Sequence, residues 1–171
     1  MKAMKAFISV LALILVGFVA IGFALPGSWS AERTRLVRAP VEDVFPYLED
    51  LTRWQSWSSM GQVDGILSDP PRGEGATLSW DDPQWGAGEF RITGVSPLHE
   101  VRYQVAVEDG SIRTEGWLRV AERDGGTEIL WREEGDVGWN PLMAWFALGM
   151  ERMQGAELQK ALDRLQALLE G

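Results

Sequence analysis

The sequence predicts an α+β domain in which an antiparallel sheet is covered on one face by a long C-terminal helix. Two observations predict this class. Successive segments in the middle of the chain alternate apolar and polar residues between turn residues, which is typical of antiparallel strands with one solvent-facing side. The last part of the chain instead repeats its apolar residues with the period of a helix. A length of 171 residues is that of roughly one domain.

The composition excludes several kinds of function. The chain contains 16 Lys and Arg against 25 Asp and Glu, a net charge of −9, and the region from Ala31 onward carries −11 because two lysines precede it. Such an acidic domain repels phosphate groups, which argues against a nucleic-acid partner. There is no cysteine, which excludes disulfides, thiolate catalysis and Cys-type metal sites, and the single histidine, His99, leaves almost no material for a His-based metal site. We therefore expect no metal ion and no cofactor.

The N-terminal segment predicts a membrane anchor. No charged residue lies between Phe7 and Leu25, and as a helix this stretch would measure roughly 28 Å, enough to cross the hydrocarbon of a bilayer. We expect residues 1–28 to form a single-pass anchor in the cytoplasmic membrane and residues 29–171 to form the domain. The two N-terminal lysines favour an extracytoplasmic domain. The alternative is a signal peptide that is cleaved, with secretion of the domain.

The first part of the domain predicts one strand and two short helices. The segment 29–38 alternates weakly, as a strand does. Pro40 suits the first turn of a helix, and the residues that follow form an apolar face at Val41, Val44, Phe45 and Leu48. Thr52 can cap a second short helix. The side chains of Trp54 and Trp57 on that helix either lock it onto the sheet or form a lid over a pocket.

The middle of the domain predicts a run of antiparallel strands. The strand segments are 63–67, 76–80, 88–95, 100–108, 111–122 and 127–134. In the segment 100–108, Val101, Tyr103 and Val105 fall on one face, while Arg102 and Gln104 fall on the other. Since the segment 111–122 repeats this alternation, we expect a sheet with one buried face and one solvated face.

The C-terminal segment predicts one long helix. Asn140 and Pro141 suit its N-cap and first turn, and it can continue to Glu170. Its apolar stripe comprises Met143, Phe146, Ala147, Met150, Leu158, Ala161, Leu162, Leu165, Leu168 and Leu169. The other face is charged. We expect the stripe to cover the buried face of the sheet.

Several motifs occur in the order of these elements. They are APVEDVF at 39–45, LTRWQSW at 51–57, GAG at 86–88 before ITGVSP at 92–97, GTEILW at 126–131, and the Leu-rich end of the chain. From about Ala31 onward, the chain thereby resembles the START-like (SRPBCC) superfamily, in particular its polyketide cyclase/dehydrase-type branch. The resemblance implies a helix-grip fold, in which a seven-stranded antiparallel sheet wraps around the C-terminal helix and leaves a pocket. It also implies an apolar or amphipathic small-molecule ligand, but no shared catalytic motif.

The candidate ligand-binding residues are those that the alternation places on the concave face of the sheet. They are Trp80, Tyr103, Thr114 and Trp131, and the helix adds Met150 and Met153. Aromatic walls with a few polar tips are typical of pockets for apolar ligands. The same aromatic side chains also suit ordinary core packing, and methionine is a common gap-filler in cores.

Glu133 is the one candidate for a catalytic group. Its position in the alternation points its carboxyl inward, where burial would favour the protonated form and allow general acid catalysis. The neighbouring Glu134 and Asp136 favour the alternative of a solvated strand end. No other catalytic residue is assigned.

The leading functional hypothesis is a membrane-anchored START-like domain that binds a lipid or other apolar small molecule between the sheet and the C-terminal helix. One alternative is a cyclase/dehydratase-type enzyme that acts on a polycarbonyl substrate through Glu133. Another is a non-catalytic protein-interaction module with a filled interior. A large continuous cavity would favour the first hypothesis, and converging buried polar groups would favour the second.

Overall fold

A computed structural model of the chain describes residues 2–83, 86–108, 110, 112–138 and 140–171. The chain begins with a helix and a strand, α1 (Lys2–Gly22) and β1 (Ser28–Val37). Two short helices and a 3₁₀ turn follow, α2 (Val41–Glu49), α3 (Leu51–Trp57) and Ser59–Gln62. The remaining elements are β2 (Ile66–Leu67), β3 (Thr77–Asp82), β4 (Gly86–Ser96), β5 (Glu100–Val107), β6 (Ile112–Arg123), β7 (Gly126–Asp136) and α4 (Pro141–Glu170). The predicted start of β6 at Ser111 lies outside the described residues.

The strands form one antiparallel seven-stranded sheet within the described residues, as predicted. Its order is β1-β7-β6-β5-β4-β3-β2, so β1 closes against the last strand while the others follow one another as a meander. The predicted alternation holds in β5, where Val101 and Tyr103 are buried and Arg102 is exposed. The buried face of this sheet carries the functional candidates.

Helix α4 covers the buried face of the sheet, which confirms the predicted helix-grip arrangement. Asn140 caps the helix by accepting a hydrogen bond from the backbone amide of Leu142 at 3.0 Å, and Pro141 follows in the first turn. The buried side of the helix comprises Ala144, Ala147, Gly155, Leu158, Ala161, Leu162 and Leu165. In the first half of α4 the small residues face inward, and Phe146 and Met153, which the predicted stripe placed inward or in the pocket, are exposed.

Helices α2 and α3 follow β1 as predicted and pack on the same face. Val41, Val44, Phe45 and Leu48 are all buried. The cap of α3 is Asp50 rather than the expected Thr52: the Asp50 carboxylate accepts hydrogen bonds from the backbone amide of Thr52 at 2.9 Å and from its hydroxyl at 2.6 Å. An N-cap carboxylate satisfies amides that have no partner within the helix.

The prediction of a single-pass membrane anchor is wrong. Helix α1 ends at Gly22 instead of continuing to Leu25, so the helical part of the predicted span, residues 7–22, measures about 24 Å against roughly 30 Å of bilayer hydrocarbon. In the part of the chain that the structure describes, no helix combines the length and the apolar character needed to cross a membrane. Helix α1 instead contacts α4. The indole of Trp145 on α4 stacks on the ring of Phe18 on α1, with 4.7 Å between ring centres, and donates a hydrogen bond to the backbone carbonyl of Phe18 at 3.1 Å. The same finding overturns the predicted location as a single-pass protein of the cytoplasmic membrane.

An aromatic cluster occupies the core between α3 and the sheet. It consists of Trp54, Trp57, Phe90, Tyr103 and Trp131. The Trp54 ring is its centre, with ring-centre distances of 4.8 Å to Phe90 and 5.2 Å to Tyr103, both edge-to-face. This orientation is favoured by the charge distribution of aromatic rings. The cluster holds α3 onto the sheet and forms one side of a cavity.

Candidate ligand-binding cavity

A cavity of about 130 Å³ lies between the buried face of the sheet, α3 with the following 3₁₀ turn, and α4. Its wall is mainly apolar, and its apolar residues are Trp54, Met60, Phe90, Val105, Trp131, Leu158 and Ala161. A mostly apolar wall with few polar groups is the usual composition of small-molecule sites. This volume is smaller than that of the large continuous cavity that would favour the lipid-binding hypothesis.

The cavity extends from the protein surface into the core. At its outer end lie Ser59 of the 3₁₀ turn, which is exposed, and Glu157 of α4, whose side chain is 45% exposed. At its inner end lie Trp54 and Glu133, which are both buried. A molecule would therefore enter between the 3₁₀ turn and α4.

The inner end of the cavity contains a chain of hydrogen bonds centred on the buried Glu133. One carboxylate oxygen, Oε2, accepts a hydrogen bond from the side-chain amide of Gln154 at 2.5 Å. The other, Oε1, accepts one from the hydroxyl of Tyr103. That hydroxyl in turn accepts a hydrogen bond from the indole nitrogen of Trp131 at 2.7 Å. Strands β5 and β7 and helix α4 thus converge on a single carboxyl group.

The pKa values of this group reflect its burial. Burial raises the pKa of the Glu133 carboxyl above its ordinary value, and the hydrogen bonds from Tyr103 and Gln154 offset only part of the increase. Burial also raises the pKa of the Tyr103 hydroxyl well above its ordinary value, and the neighbouring Glu133 charge raises it further. Tyr103 therefore remains protonated and acts as a donor.

The chemistry available at this end is that of a carboxyl group in an apolar environment. As a carboxylate, Glu133 has lone pairs beyond those that Tyr103 and Gln154 use, so it can accept a hydrogen bond or hold a positive charge. As a carboxylic acid it can donate a proton or a hydrogen bond to a ligand oxygen. Among the residues that the structure describes, no cluster of three or more His, Asp or Glu side chains is placed to hold a metal ion.

The structure brings some of the sequence-predicted residues together and separates others. Thr114, Trp131 and Glu133 line the cavity, and Tyr103 lies behind its wall, with its hydroxyl on Glu133. Three further candidates lie outside the described cavity wall: Trp80, Met150 and Met153. Trp80 is buried with its ring against Gly88, Met150 is half-buried, and Met153 is 57% exposed.

Sequence reasoning missed Gln154 as a functional candidate. A signal was present, because Gln154 lies four residues before Leu158 and seven before Ala161, which places a polar side chain within the buried helical stripe. It also missed Phe90 as a wall residue. Phe90 shares its face with Ile92 in β4, and both are buried, so the alternation would have identified it.

One family model matches most of the chain. It is described as "Polyketide cyclase / dehydrase and lipid transport" and covers residues 28–170, from the first residue of β1 to the end of α4. Among curated protein sequences, none matches the chain significantly.

Solved structures share the fold at low sequence identity. An uncharacterised protein from Rhizobium leguminosarum is 20% identical with a TM-score of 0.58, and the match covers 84% of this chain and 95% of that one. The Aha1 dimer from Colwellia psychrerythraea matches at 16% identity and a TM-score of 0.57, over 82% of this chain and 96% of that one. The di-domain ARO/CYC StfQ from the steffimycin biosynthetic pathway matches at 15% identity and a TM-score of 0.61, over 84% of this chain but 51% of its own length.

Proposed function

The chain belongs to the polyketide cyclase / dehydrase and lipid transport family, as its resemblance to the START-like superfamily predicted, and we propose that it binds a compact, mostly apolar small molecule in the cavity between the sheet and α4. The observation that carries the proposal is the composition of the cavity: an aromatic and aliphatic wall with one buried carboxyl group, Glu133, at the inner end. The wall excludes water from the body of a ligand, and the carboxyl group orients its polar end.

The size of the cavity limits the ligand. An apolar cavity of roughly 150 Å³ holds one benzene molecule, and this cavity measures about 130 Å³. A ligand of about one ring, or a branched group of similar bulk, therefore suits it better than a full lipid chain. A longer molecule would extend past Ser59 and Glu157 at the outer end.

The test is a titration of the full chain with a compact neutral probe, 3,3-dimethylbutan-1-ol. We expect quenching or a spectral shift of tryptophan fluorescence, because Trp54 and Trp131 line the cavity, together with an increase in melting temperature. A cavity-filling variant, Ala161→Leu, should lose the response because Ala161 is buried in the cavity wall. Its control is Ala156→Leu, on the exposed side of the same helix. An identical response in both variants, or none in the unmodified chain, would contradict the proposal.

A second candidate function, catalysis of a cyclisation or dehydration of a polycarbonyl substrate, is supported by the convergence of Tyr103, Glu133 and Gln154. A carboxyl group whose pKa is raised by burial suits proton donation to a carbonyl oxygen near neutral pH. In this mechanism Glu133 would transfer the proton, while Tyr103 and Gln154 would position the carboxyl group.

This second function has its own test. The chain is incubated with a linear triketone, and the products are analysed by mass spectrometry for the loss of one water molecule. Catalysis by Glu133 requires that Glu133→Gln abolish the product while the affinity for the triketone, measured by fluorescence, changes by less than a few-fold. Binding without turnover in the unmodified chain would leave the binding function and remove the catalytic one.

A further inference from the structure

We propose that the ligand of this cavity carries a positively charged ammonium group with apolar substituents, which is held between Glu133 and the aromatic wall; the inference rests on the proposed binding function. It concerns the charge of the ligand, for which the apolar wall alone gives no information. The argument depends on how Glu133 is paired, on what surrounds it and on the charge of the other wall residues.

The pairing of Glu133 differs from that of the other buried glutamate. Glu100, at the start of β5, lies between the guanidinium groups of Arg102 and Arg119, each at 2.5 Å. Glu133 is hydrogen-bonded by two neutral donors, the Tyr103 hydroxyl and the Gln154 amide, and no salt bridge joins it to a described Lys or Arg. A buried carboxylate without a cationic partner is costly, so buried charges are normally paired. A cationic ligand would supply the missing partner.

The residues around Glu133 are those that bind organic cations. Trp54, Phe90 and Trp131 line the same cavity. Aromatic rings attract a cation within about 6 Å through their electron-rich faces, tryptophan most strongly, and quaternary ammonium groups are recognised in this way. A neutral hydroxyl group would satisfy a lone pair of Glu133, but it would not stabilise the ionised carboxylate against the burial that raises its pKa, as a cation would. An ammonium group with methyl substituents matches both the apolar wall and the charge.

The remaining charges favour a cation as well. Among the described residues of the cavity wall, none is a lysine or an arginine. Glu157 at the outer end already contacts Lys160 at 2.7 Å, so the charge available to a ligand is that of Glu133. The net charge of −11 from Ala31 onward also raises the local concentration of cations near the surface.

The experiment compares two probes of the same shape. Choline and 3,3-dimethylbutan-1-ol differ in that the first has a positively charged nitrogen where the second has a neutral carbon. Both are titrated against the full chain at constant ionic strength, with tryptophan fluorescence and calorimetry as readouts. We expect choline to bind roughly tenfold more tightly or better.

The variant Glu133→Gln separates charge from shape. It should remove the preference for choline, so that the ratio of the two affinities falls about tenfold, because the glutamine amide can still hydrogen-bond a hydroxyl group but carries no charge. The control is Glu134→Gln, which removes a carboxylate from the exposed face of the same strand and should retain the preference. If Glu133→Gln fails to fold, as judged by circular dichroism, the comparison of the two probes on the unmodified chain still decides the question.

Each outcome has a distinct meaning. Equal or tighter binding of the neutral alcohol overturns the ammonium inference and leaves the binding function intact. A choline preference that survives in Glu133→Gln but is lost in Glu134→Gln assigns the effect to the outer surface and also overturns the inference. Absence of any response to either probe contradicts the binding function itself.

Discussion

The ring of Tyr103 lies directly over Gly116, its partner across strands β5 and β6. A Cβ atom added to Gly116 would overlap the Cζ and hydroxyl atoms of Tyr103, so the absence of a side chain allows the ring to occupy this position. From there the Tyr103 hydroxyl reaches Glu133 and accepts the hydrogen bond from Trp131. The glycine on one strand thus sets the geometry of the buried carboxyl group on the next.

We expect Gly116→Ala to destabilise the chain by about 1–3 kcal/mol, the usual cost of adding atoms to a packed core. The Tyr103 ring cannot move aside without breaking its two buried hydrogen bonds. Urea denaturation measures the change in the free energy of unfolding. The control is Gly94→Ala in strand β4, where an added Cβ would meet only Arg102 Cβ, at 4.0 Å; equal losses in the two variants would contradict this explanation.

We expect Tyr103→Phe to lower the free energy of unfolding by about 2 kcal/mol or more, because it leaves two buried groups unpaired. Those groups are the Trp131 indole nitrogen and the Glu133 Oε1 atom. Thermal and urea unfolding measure the loss. The control is Tyr47→Phe, which removes the other tyrosine hydroxyl of the chain from a half-buried position. A stability loss as large in the control would show that the buried hydroxyl has no special role.

The stability difference between Glu133→Gln and the unmodified chain should depend on pH. Because burial raises the pKa of Glu133 in the folded chain, the folded state retains this proton more strongly than the unfolded state, whose glutamate pKa is about 4.3. The stabilisation that protonation provides is fully present below the unfolded pKa and is lost as the pH rises through the raised folded pKa. The glutamine variant has no such proton, so its stability relative to the unmodified chain should increase as the pH rises from about 4 through the raised pKa of the folded chain.

This pH effect is measured by urea denaturation across that range. The control is Glu134→Gln, whose side chain is exposed on the outer face of β7. A difference between Glu133→Gln and the unmodified chain that stays constant with pH would show that the carboxyl group is not desolvated in the folded chain.

The alternation of residues in the strands predicted much of the candidate site. Thr114, Trp131 and Glu133 share the buried face because side chains two residues apart in a strand point the same way. The contact between Tyr103 and Glu133 was not predictable in the same way. It depends on the register of β5 on β6 and of β6 on β7, and on the small size of Gly116, neither of which local periodicity contains.

The helices show where local patterns fail. The predicted stripe of α4 followed the largest apolar residues, but in the first half of the helix Ala144 and Ala147 face inward while Phe146 is exposed. Such a choice depends on how closely the helix approaches its neighbours, which hydrophobicity alone does not report. The predicted membrane span failed for a related reason, because the absence of charge up to Leu25 did not indicate that the helix ends at Gly22.

A substitution at Leu162 tests whether α4 is an integral part of the core. Its side chain is fully buried with Leu158 and Leu165 on the side of the helix that faces the sheet. Truncation of a buried leucine removes apolar contacts and leaves a cavity, so Leu162→Ala should cost about 2–5 kcal/mol of unfolding free energy. Leu168→Ala, six residues further along the same helix and 47% exposed, should cost far less. If urea denaturation gave equal losses for the two variants, the packing of α4 against the sheet would be contradicted, and with it the inner wall of the cavity.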